Sequence, residues 1–215
     1  MTVAVENVAG EGIAGVLLAG GLSRRMGGGD KCLRDLGGRP ILARIVERAR
    51  PQVGALVLNA NGDAARFEAF GLPVAADVVE GYAGPLAGIL TGLDWAAQSA
   101  PDAQWLASFA SDAPFFPEDM VARMAEAVEA EGADLACAIT HGRTHPVFGL
   151  WRVSLREDLR RAMIEEEIRK VDRWTARHKL VEVDFPDIQT PAGPLDPFFN
   201  TNRPEDLEEA AGYLT

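Results

Sequence analysis

Two patterns of apolar residues alternate along the N-terminal half of the chain. The continuous apolar run from Ile13 to Ala19 is typical of a buried strand, whereas the apolar residues of 40–50 recur at helical spacing until Pro51 ends the segment. The same criteria predict the remaining elements of this half: strands within 54–61, 73–77 and 103–114, and helices at 64–70, 85–98 and 117–131.

The C-terminal half is less regular but contains no linker, internal repeat or low-complexity segment. We therefore expect one domain over residues 1–215. Its predicted elements are strands at 134–140 and 145–152 around the turn 141–144, a helix at 155–163 that continues through the charged stretch 165–179, a strand at 180–185, an extended piece at 198–202, and a helix from Pro204 capped by Asn202 or Thr201.

Alternation of strands and helices predicts the fold class. The expected architecture is a Rossmann-like, doubly wound α/β domain with a mostly parallel sheet flanked by helices. Ligands of such sheets bind outside the carboxyl ends of the strands. Gly20, Asn59, Asp77 and Asp112 all follow predicted strands, so we expect one crevice to hold them together.

A glycine-rich loop follows the first strand. The stretch IAGVLLAGGLSRRMGGGDK, residues 13–31, contains five glycines between 20 and 29 together with Arg24, Arg25 and Lys31. Glycines let backbone N–H groups approach an anion closely, and the cations neutralise it. The spacing matches neither GxxxxGK[ST] nor GxGxxG, so the loop predicts a phosphate site of another type.

Composition limits the partners. The chain has 215 residues, of which 47% are hydrophobic, and a net charge of −11. This charge argues against a general nucleic-acid surface or an anionic membrane surface. Two cysteines far apart in sequence suit a reducing compartment, and no leader-like segment or run of about 18 apolar residues occurs. We expect a cytoplasmic protein.

Asp112 is the candidate metal ligand. It follows a nearly apolar strand in SFASDAPF, which would hold its carboxylate rigidly at the mouth of the crevice. Mg²⁺ takes one or two protein carboxylates and fills its other positions with phosphate oxygens and water. The sequence therefore predicts Mg²⁺ as the cofactor.

The string LAGGLSRRMGGGDK resembles the signature loop of the molybdenum cofactor guanylyltransferase family, in which LAGG is followed by RMG and DK. The resemblance implies a loop wrapped around a nucleoside triphosphate, with Arg25 near its phosphates, and a metal-binding Asp112. It implies nucleotide contacts at Leu18, Ala19, Gly20, Gly21, Lys31, Asn59, Asp77 and Asp112.

Two C-terminal features, NTNRPEDL and RTHP, also resemble this family. They imply that the C-terminal half binds a pterin, with His145, Asn200 and Asn202 as candidate contacts, while the N-terminal half binds the nucleotide. Asn200 and Asn202 fit equally well as part of a helix cap before Pro204.

The implied reaction transfers GMP from GTP to the terminal phosphate of molybdenum-molybdopterin and releases pyrophosphate, with Arg25, Lys31 and Asp112 as catalytic residues. A phosphomonoester with a second pKa near ~6 is already largely ionised at neutral pH, so no general base is needed. The implied partners are GTP and molybdenum-molybdopterin, with molybdoenzyme maturation proteins as candidate recipients.

Three alternatives remain open. A cytidylyltransferase acting on the same pterin usually has LAAG, where this chain has Gly21 and a downstream GPLAG. A sugar-nucleotide pyrophosphorylase shares the fold and loop type but is normally longer. A non-catalytic nucleotide-binding module would be less expected to contain both Lys31 and Asp112.

Other reactive residues have weaker claims. A cationic loop would lower the pKa of Cys32, but the transfer needs no covalent intermediate. His141 and His145 are four residues apart, a zinc-ligand spacing on a helix, yet Gly142 and Pro146 indicate a turn.

Overall fold

The computed structural model describes residues 12–19, 30–79, 81 and 84–214. Strands and helices alternate as the sequence predicts. The strands are β1 Ile13–Leu18, β2 Asp35–Leu36, β3 Arg39–Pro40, β4 Ala55–Asn59, β5 Val74–Ala75, β6 Trp105–Ala110, β7 Leu135–Thr140, β8 Arg143–Arg152, β9 Leu180–Asp184, β10 Ile188–Thr190 and β11 Gly193–Leu195. The α-helices are α1 Ile41–Ala49, α2 Pro85–Ser99, α3 Met120–Glu131, α4 Arg156–Ile164, α5 Val171–Thr175 and α6 Pro204–Gly212.

Seven strands form the central sheet in the order β5-β4-β1-β6-β8-β7-β9. Only β8 runs antiparallel to its neighbours. The chain moves outward from β1 through β4 to β5 and then returns to place β6 on the other side of β1. Strand order therefore reverses at β1 and β6, and ligands of open α/β sheets bind at such a reversal.

The sheet separates two apolar cores because successive side chains of a strand point to opposite faces. Ile13 and Leu17 of β1 pack on the face covered by α1 and α3, whereas Ala14 and Val16 pack on the face covered by α2 and α4. This two-sided burial explains why the central strands read as continuous apolar runs. The predicted mostly parallel α/β fold is confirmed.

The hairpin of β7 and β8 turns at His141 and Gly142, which both have positive φ. A β-bulge follows, since Cys137 pairs with Gly149 but the next residue, Ala138, pairs with His145. The bulge accommodates Pro146, which cannot donate to a strand ladder.

The prediction that 165–179 continues as a helix is wrong. Helix α4 ends at Ile164, and Glu167 has a φ of 53°. The chain turns back so that the amide of Ile168 donates to Ala162 O at 3.0 Å and its side chain enters the core. Three consecutive glutamates at 165–167 would also oppose the negative end of a continuing helix.

One helix type, one helix start and one helix cap differ from prediction. The segment Ala64–Phe70 is a 3-10 helix, and α3 begins at Met120 rather than at 117. Neither Asn202 nor Thr201 caps α6. Asp206, inside the helix, accepts instead from the backbone amides of Asn202 and Arg203, both at 2.7 Å.

None of the helices in the described ranges combines the length and the apolar character that a membrane crossing requires.

Candidate active site

The carboxyl ends of four parallel strands form one row. Leu18 of β1 is in register with Asn59 of β4 and with Ala110 of β6, and Asn59 is in register with Ala75 of β5. Strands in a sheet lie about 4.8 Å apart, so this edge spans roughly 14 Å. Asp77 and Asp112 lie just beyond the ends of β5 and β6, and the predicted convergence on this edge holds for Asn59, Asp77 and Asp112.

A first group of polar side chains surrounds Lys31, which is the first residue of a 3-10 helix, Lys31–Leu33. Its Nζ donates to Asp112 Oδ2 at 2.7 Å and to Asn202 Oδ1 at 2.5 Å. The lysine and aspartate side chains are 15% and 26% exposed, so both are shielded from solvent yet remain accessible. The structure thus joins three candidate residues that are far apart in sequence. We name this set the lysine group.

Thr201 holds the lysine group together. Its backbone amide and its hydroxyl both donate to the carbonyl oxygen of Asp112, at 2.8 and 2.9 Å. The side chain is fully buried. Because Thr201 precedes Asn202, these two bonds fix the C-terminal segment against the loop that carries the metal-ligand candidate.

A second group surrounds Asp77. Asn59 Nδ2 donates to Asp77 Oδ1 at 2.9 Å, and Asn61 Nδ2 donates to Asp77 Oδ2 at 2.8 Å. Asn61 Oδ1 also accepts from the backbone amide of Asp77 at 2.8 Å. Two amides therefore fix the orientation of one carboxylate. We name Asn59, Asn61 and Asp77 the aspartate group.

Helix α2 packs directly against the aspartate group through Gly88. A Cβ at this position would lie under 3.0 Å from Asn59 Oδ1 and 2.6 Å from Leu18 Cδ2. Thr91, further along the helix, accepts from the amide of Val78 at 3.1 Å. The second glycine of GPLAG, Gly88, thus lets the helix approach the row of strand ends.

The donor set of the lysine group fits a magnesium ion that arrives with a nucleotide. Asp112 offers one carboxylate, and within the described ranges no three His, Cys, Asp or Glu side chains come together as a metal cage. A single carboxylate with phosphate oxygens and water is a common Mg²⁺ environment, whereas zinc is typically held by three or four protein ligands.

His145 lies in a separate cluster. Its Nε2 is 2.6 Å from Thr140 Oγ1, and its ring centroid is 4.6 Å from that of Phe198. Burial lowers the pKa of His145, and the charge of Asp196 acts against this shift. The neutral imidazole packs beneath the segment that leads to Thr201, and no described contact joins it to either group.

Asn200 lies on the same segment, where its carbonyl accepts from the amide of Asn202 at 3.1 Å. His141, at the hairpin turn, pairs instead with Asp187 at 2.8 Å. The two histidines therefore have different partners, as the expected turn implied.

Cys32 is buried in the core beside the lysine group. Burial raises the pKa of its thiol to about 12, and the charge of Asp30 acts in the same direction. The expected lowering of the pKa by a cationic loop is therefore wrong, because desolvation outweighs the nearby Arg66. A thiol in this state is a poor nucleophile.

Three candidate residues, Gly20, Gly21 and Arg25, lie outside the described residues. Leu18 and Ala19 lie at the end of β1, where the amide of Ala19 donates to Asn59 O at 2.9 Å. Their placement joins the start of the glycine-rich loop to the aspartate group.

Sequence reasoning missed Asn61, Gly88 and Thr201. Each lies within a short motif that contains or follows a residue that was singled out: NAN, GPLAG and NTN respectively. Their contacts are made across long sequence separations, which a one-dimensional pattern does not report. The repeated Asn-x-Asn spacing was the available signal, since both of its asparagines can face one site.

Comparison with known proteins shows to which class of protein the chain belongs. A family model described as MobA-like NTP transferase domain matches residues 15–181, a range that includes most of β1, both strand-end aspartates and most of the central sheet. The fold and the match define the class: this chain is a nucleotidyltransferase.

Close relatives specify the family. A molybdenum cofactor guanylyltransferase of Bradyrhizobium sp. (strain ORS 278) is 58% identical over 92% of this chain and 91% of its own length. That of Rhodopseudomonas palustris (strain BisB5) is 55% identical over 91% of this chain and 90% of its own length. The chain belongs to the molybdenum cofactor guanylyltransferase family, as the signature loop implied.

Solved structures share the fold. Molybdopterin-guanine dinucleotide biosynthesis protein A from Archaeoglobus fulgidus superposes with a TM-score of 0.69 at 21% identity, covering 93% of this chain and 97% of that one. Rv0371C from Mycobacterium tuberculosis H37Rv, in complex with manganese, superposes with a TM-score of 0.64 at 18% identity, covering 93% and 98%.

Proposed function

We propose that this enzyme transfers GMP from GTP to the terminal phosphate of molybdenum-molybdopterin, giving molybdopterin guanine dinucleotide and pyrophosphate. The observation that carries the proposal is that the lysine group and the aspartate group both lie at the same carboxyl edge of the sheet. The names of the close relatives support the same reaction.

The reaction requires the protein to position the two substrates and to stabilise charge. An oxygen of the pterin phosphate attacks the α-phosphorus of GTP, the bond from that phosphorus to the bridging oxygen breaks, and pyrophosphate leaves with the electron pair. The attacking phosphomonoester is largely dianionic at neutral pH, so no side chain has to remove a proton. The protein must hold two anions together in line and stabilise the developing charge.

Lys31 and Asp112 have the roles closest to the reacting atoms. Lys31 donates to phosphate oxygens, and Arg25 of the glycine-rich loop assists it. Asp112 would hold the Mg²⁺ that accompanies the nucleotide, and this ion would supply positive charge against the phosphates. Asn202 keeps the ammonium group of Lys31 at the mouth of the crevice through its 2.5 Å contact.

Asp77 is our candidate reader of the guanine base. Guanine presents N1–H and the exocyclic amine as adjacent donors, which one carboxylate can accept together. Each Asp77 oxygen already accepts from one asparagine, and an ionised carboxylate retains further lone-pair sites for the base. The asparagines thus orient the carboxylate without consuming it.

The two buried cysteines support a reducing, cytoplasmic location. Cys32 and Cys137 are both free and buried, as expected for a protein that folds where thiols stay reduced.

The direct test is pyrophosphate release from each of the four nucleoside triphosphates, with and without molybdopterin, in Mg²⁺ and after chelation. We expect release only with GTP, molybdopterin and the divalent ion together. Release with CTP in place of GTP would assign the enzyme to the cytidylyl branch. Release without any divalent ion would reject the metal role of Asp112.

The base-reading role is tested in the Asp77→Ala variant. We expect the preference for GTP over CTP in kcat/KM to fall by roughly 1 to 3 kcal/mol, the scale of one bidentate base contact. An unchanged ratio, with both nucleotides weakened equally, would instead place Asp77 on the ribose.

A further inference from the structure

Arg66 is a half-buried cationic link that the proposed reaction does not use. It lies in the 3-10 helix Ala64–Phe70, and its guanidinium carbon is 4.5 Å from the ring centroid of Phe67, a fully buried side chain. Arg66 Nε pairs with Asp30 Oδ2, and Nη2 lies 3.4 Å from Asp30 Oδ1. The arginine and aspartate side chains are 28% and 19% exposed.

The guanidinium also binds the segment that carries Asn61. Nη2 donates to the carbonyl of Asn61 at 2.6 Å, and Nη1 donates to the carbonyl of Asp63. Gly62, between these two carbonyls, has a φ of 85°, a backbone conformation that glycine adopts without strain.

These bonds occupy most of the donor capacity of Arg66. A guanidinium has five N–H groups in a fixed planar fork. Two of them serve Asp30 and two serve the backbone carbonyls. Arg66 is therefore committed to protein acceptors rather than to a phosphate ligand.

Two partners of Arg66 lie next to or within the two separate groups of the site. Asp30 immediately precedes Lys31, and the amide of Leu33 donates to Asp30 O at 3.1 Å. Asn61 is bound reciprocally to Asp77. One side chain thus connects the backbone next to the lysine group with the backbone of the aspartate group.

We propose that Arg66 is a positioning residue that fixes the distance between the phosphate-binding and base-binding halves of the nucleotide site. This inference rests on the proposed function, because it assumes that one nucleotide spans both groups. A ligand that contacts both halves gains affinity only when their separation matches its length. A ligand that contacts one half does not depend on that separation.

The experiment compares ligands of different span. Arg66→Met removes the fork and keeps much of the aliphatic stem, and Arg66→Lys keeps the charge without the planar fork. GTP affinity is measured by calorimetry. Guanosine and tripolyphosphate are then measured as competitors of GTP, so that each reports on one half of the site.

Arg50→Met is the matched control. Arg50 Nη2 donates to the carbonyl of Phe70 at 3.3 Å, so it ties down the far end of the same 3-10 segment without contacting either group. A purely structural role of the segment would make Arg50→Met and Arg66→Met behave alike in every measurement.

We expect Arg66→Met to weaken GTP binding about tenfold, within the range found for residues that couple two sites, and to change guanosine and tripolyphosphate binding less than twofold. Arg66→Lys should resemble Arg66→Met, and Arg50→Met should bind all three ligands as the wild type does. Asp30→Asn should reproduce the defect, and combining it with Arg66→Met should add little, since both remove one interaction.

Two results would overturn the inference alone. One is GTP affinity that is unchanged in Arg66→Met while the wild type binds GTP, which would leave the proposed function intact. The other is an equal loss for GTP, guanosine and tripolyphosphate, which would indicate general loosening. A wild-type enzyme that binds no GTP would overturn both the proposed function and this inference.

Discussion

Gly88→Ala should weaken nucleotide binding by displacing Asn59 from the aspartate group. The added Cβ would lie under 3.0 Å from Asn59 Oδ1 and from Leu18 Cδ2. Both atoms are at the ends of side chains, so rotation of those side chains can relieve the clash without moving the backbone. When Asn59 rotates, it loses its bonds to Asp77 Oδ1 at 2.9 Å and to Ala75 O at 3.2 Å.

Three terms set the stability of this variant. Overpacking costs roughly 1 to 3 kcal/mol, and the low end applies where side chains can rotate. Replacing glycine by alanine inside a helix returns about 0.5 to 1 kcal/mol. Asn59 is buried, and the loss of its hydrogen bonds costs about 1 to 3 kcal/mol in addition. We therefore expect the free energy of unfolding to fall by roughly 1 to 3 kcal/mol.

The same displacement of Asn59 weakens GTP binding. A hydrogen bond to a charged group contributes about 1.5 to 3 kcal/mol, and its loss leaves Asp77 less well oriented. We expect the Kd for GTP to rise roughly ten- to a hundredfold. Isothermal titration gives the Kd, and denaturant unfolding gives the stability.

Gly92→Ala is the control, one turn along the same helix. Its Cβ would lie 2.8 Å from Val16 Cβ and 2.9 Å from Leu106 Cδ2. Val16 Cβ is fixed to the backbone of β1 and cannot rotate away, so this variant should lose stability while the folded fraction binds GTP normally. Equal GTP affinity in Gly88→Ala and the wild type would refute the role of the close approach at Gly88.

Three further changes test other parts of the site. Lys31→Ala should lose on the order of 3 kcal/mol of transition-state stabilisation, seen as a lower kcat; a higher KM alone would mean that Lys31 only tethers ground-state phosphate. Thr201→Val removes one of the two bonds to Asp112 O and should cost about 1 kcal/mol in denaturant unfolding, with a lower kcat; Asp112 held equally well by the remaining amide would leave kcat unchanged. The lowered pKa of His145 means that the unfolded chain binds its proton more readily, so the Tm should fall as pH drops below 6.5. His145→Asn should flatten this dependence, measured in a His141→Gln background because Asp187 raises the pKa of His141 and acts with the opposite sign.

The strand ends could be predicted from sequence because their signal is local. The apolar runs that end at Leu18, Asn59 and Ala110 have similar lengths, and parallel pairing then brings their ends into register. A polar residue that follows such a strand therefore lies at the carboxyl edge of the sheet. The positions of Asn59, Asp77 and Asp112 therefore follow from patterning alone.

The hydrogen bonds between the residues of the site could not be predicted in this way. The carbonyl of Asp112 meets Thr201 and the ammonium group of Lys31 meets Asn202 only after the C-terminal segment has folded over the sheet. The end of α4 at Ile164 also depends on tertiary contacts. Ile168 is buried in the core, and the pattern of residues 165–179 does not show this burial. Long-range contacts override local propensity at both places.

The charges of the described site favour a role of the glycine-rich loop in attracting the substrates. The protein has a net charge of −11, and both proposed substrates are polyanions. Lys31 is paired with Asp112, and Arg66 is paired with Asp30, so these two cations are already balanced by carboxylates. We therefore expect the divalent ion that accompanies GTP and the arginines of the loop to contribute to the attraction that brings GTP and a second phosphate together. Arg25 is the candidate that the signature sequence singles out, and its assignment to the phosphates stays a prediction.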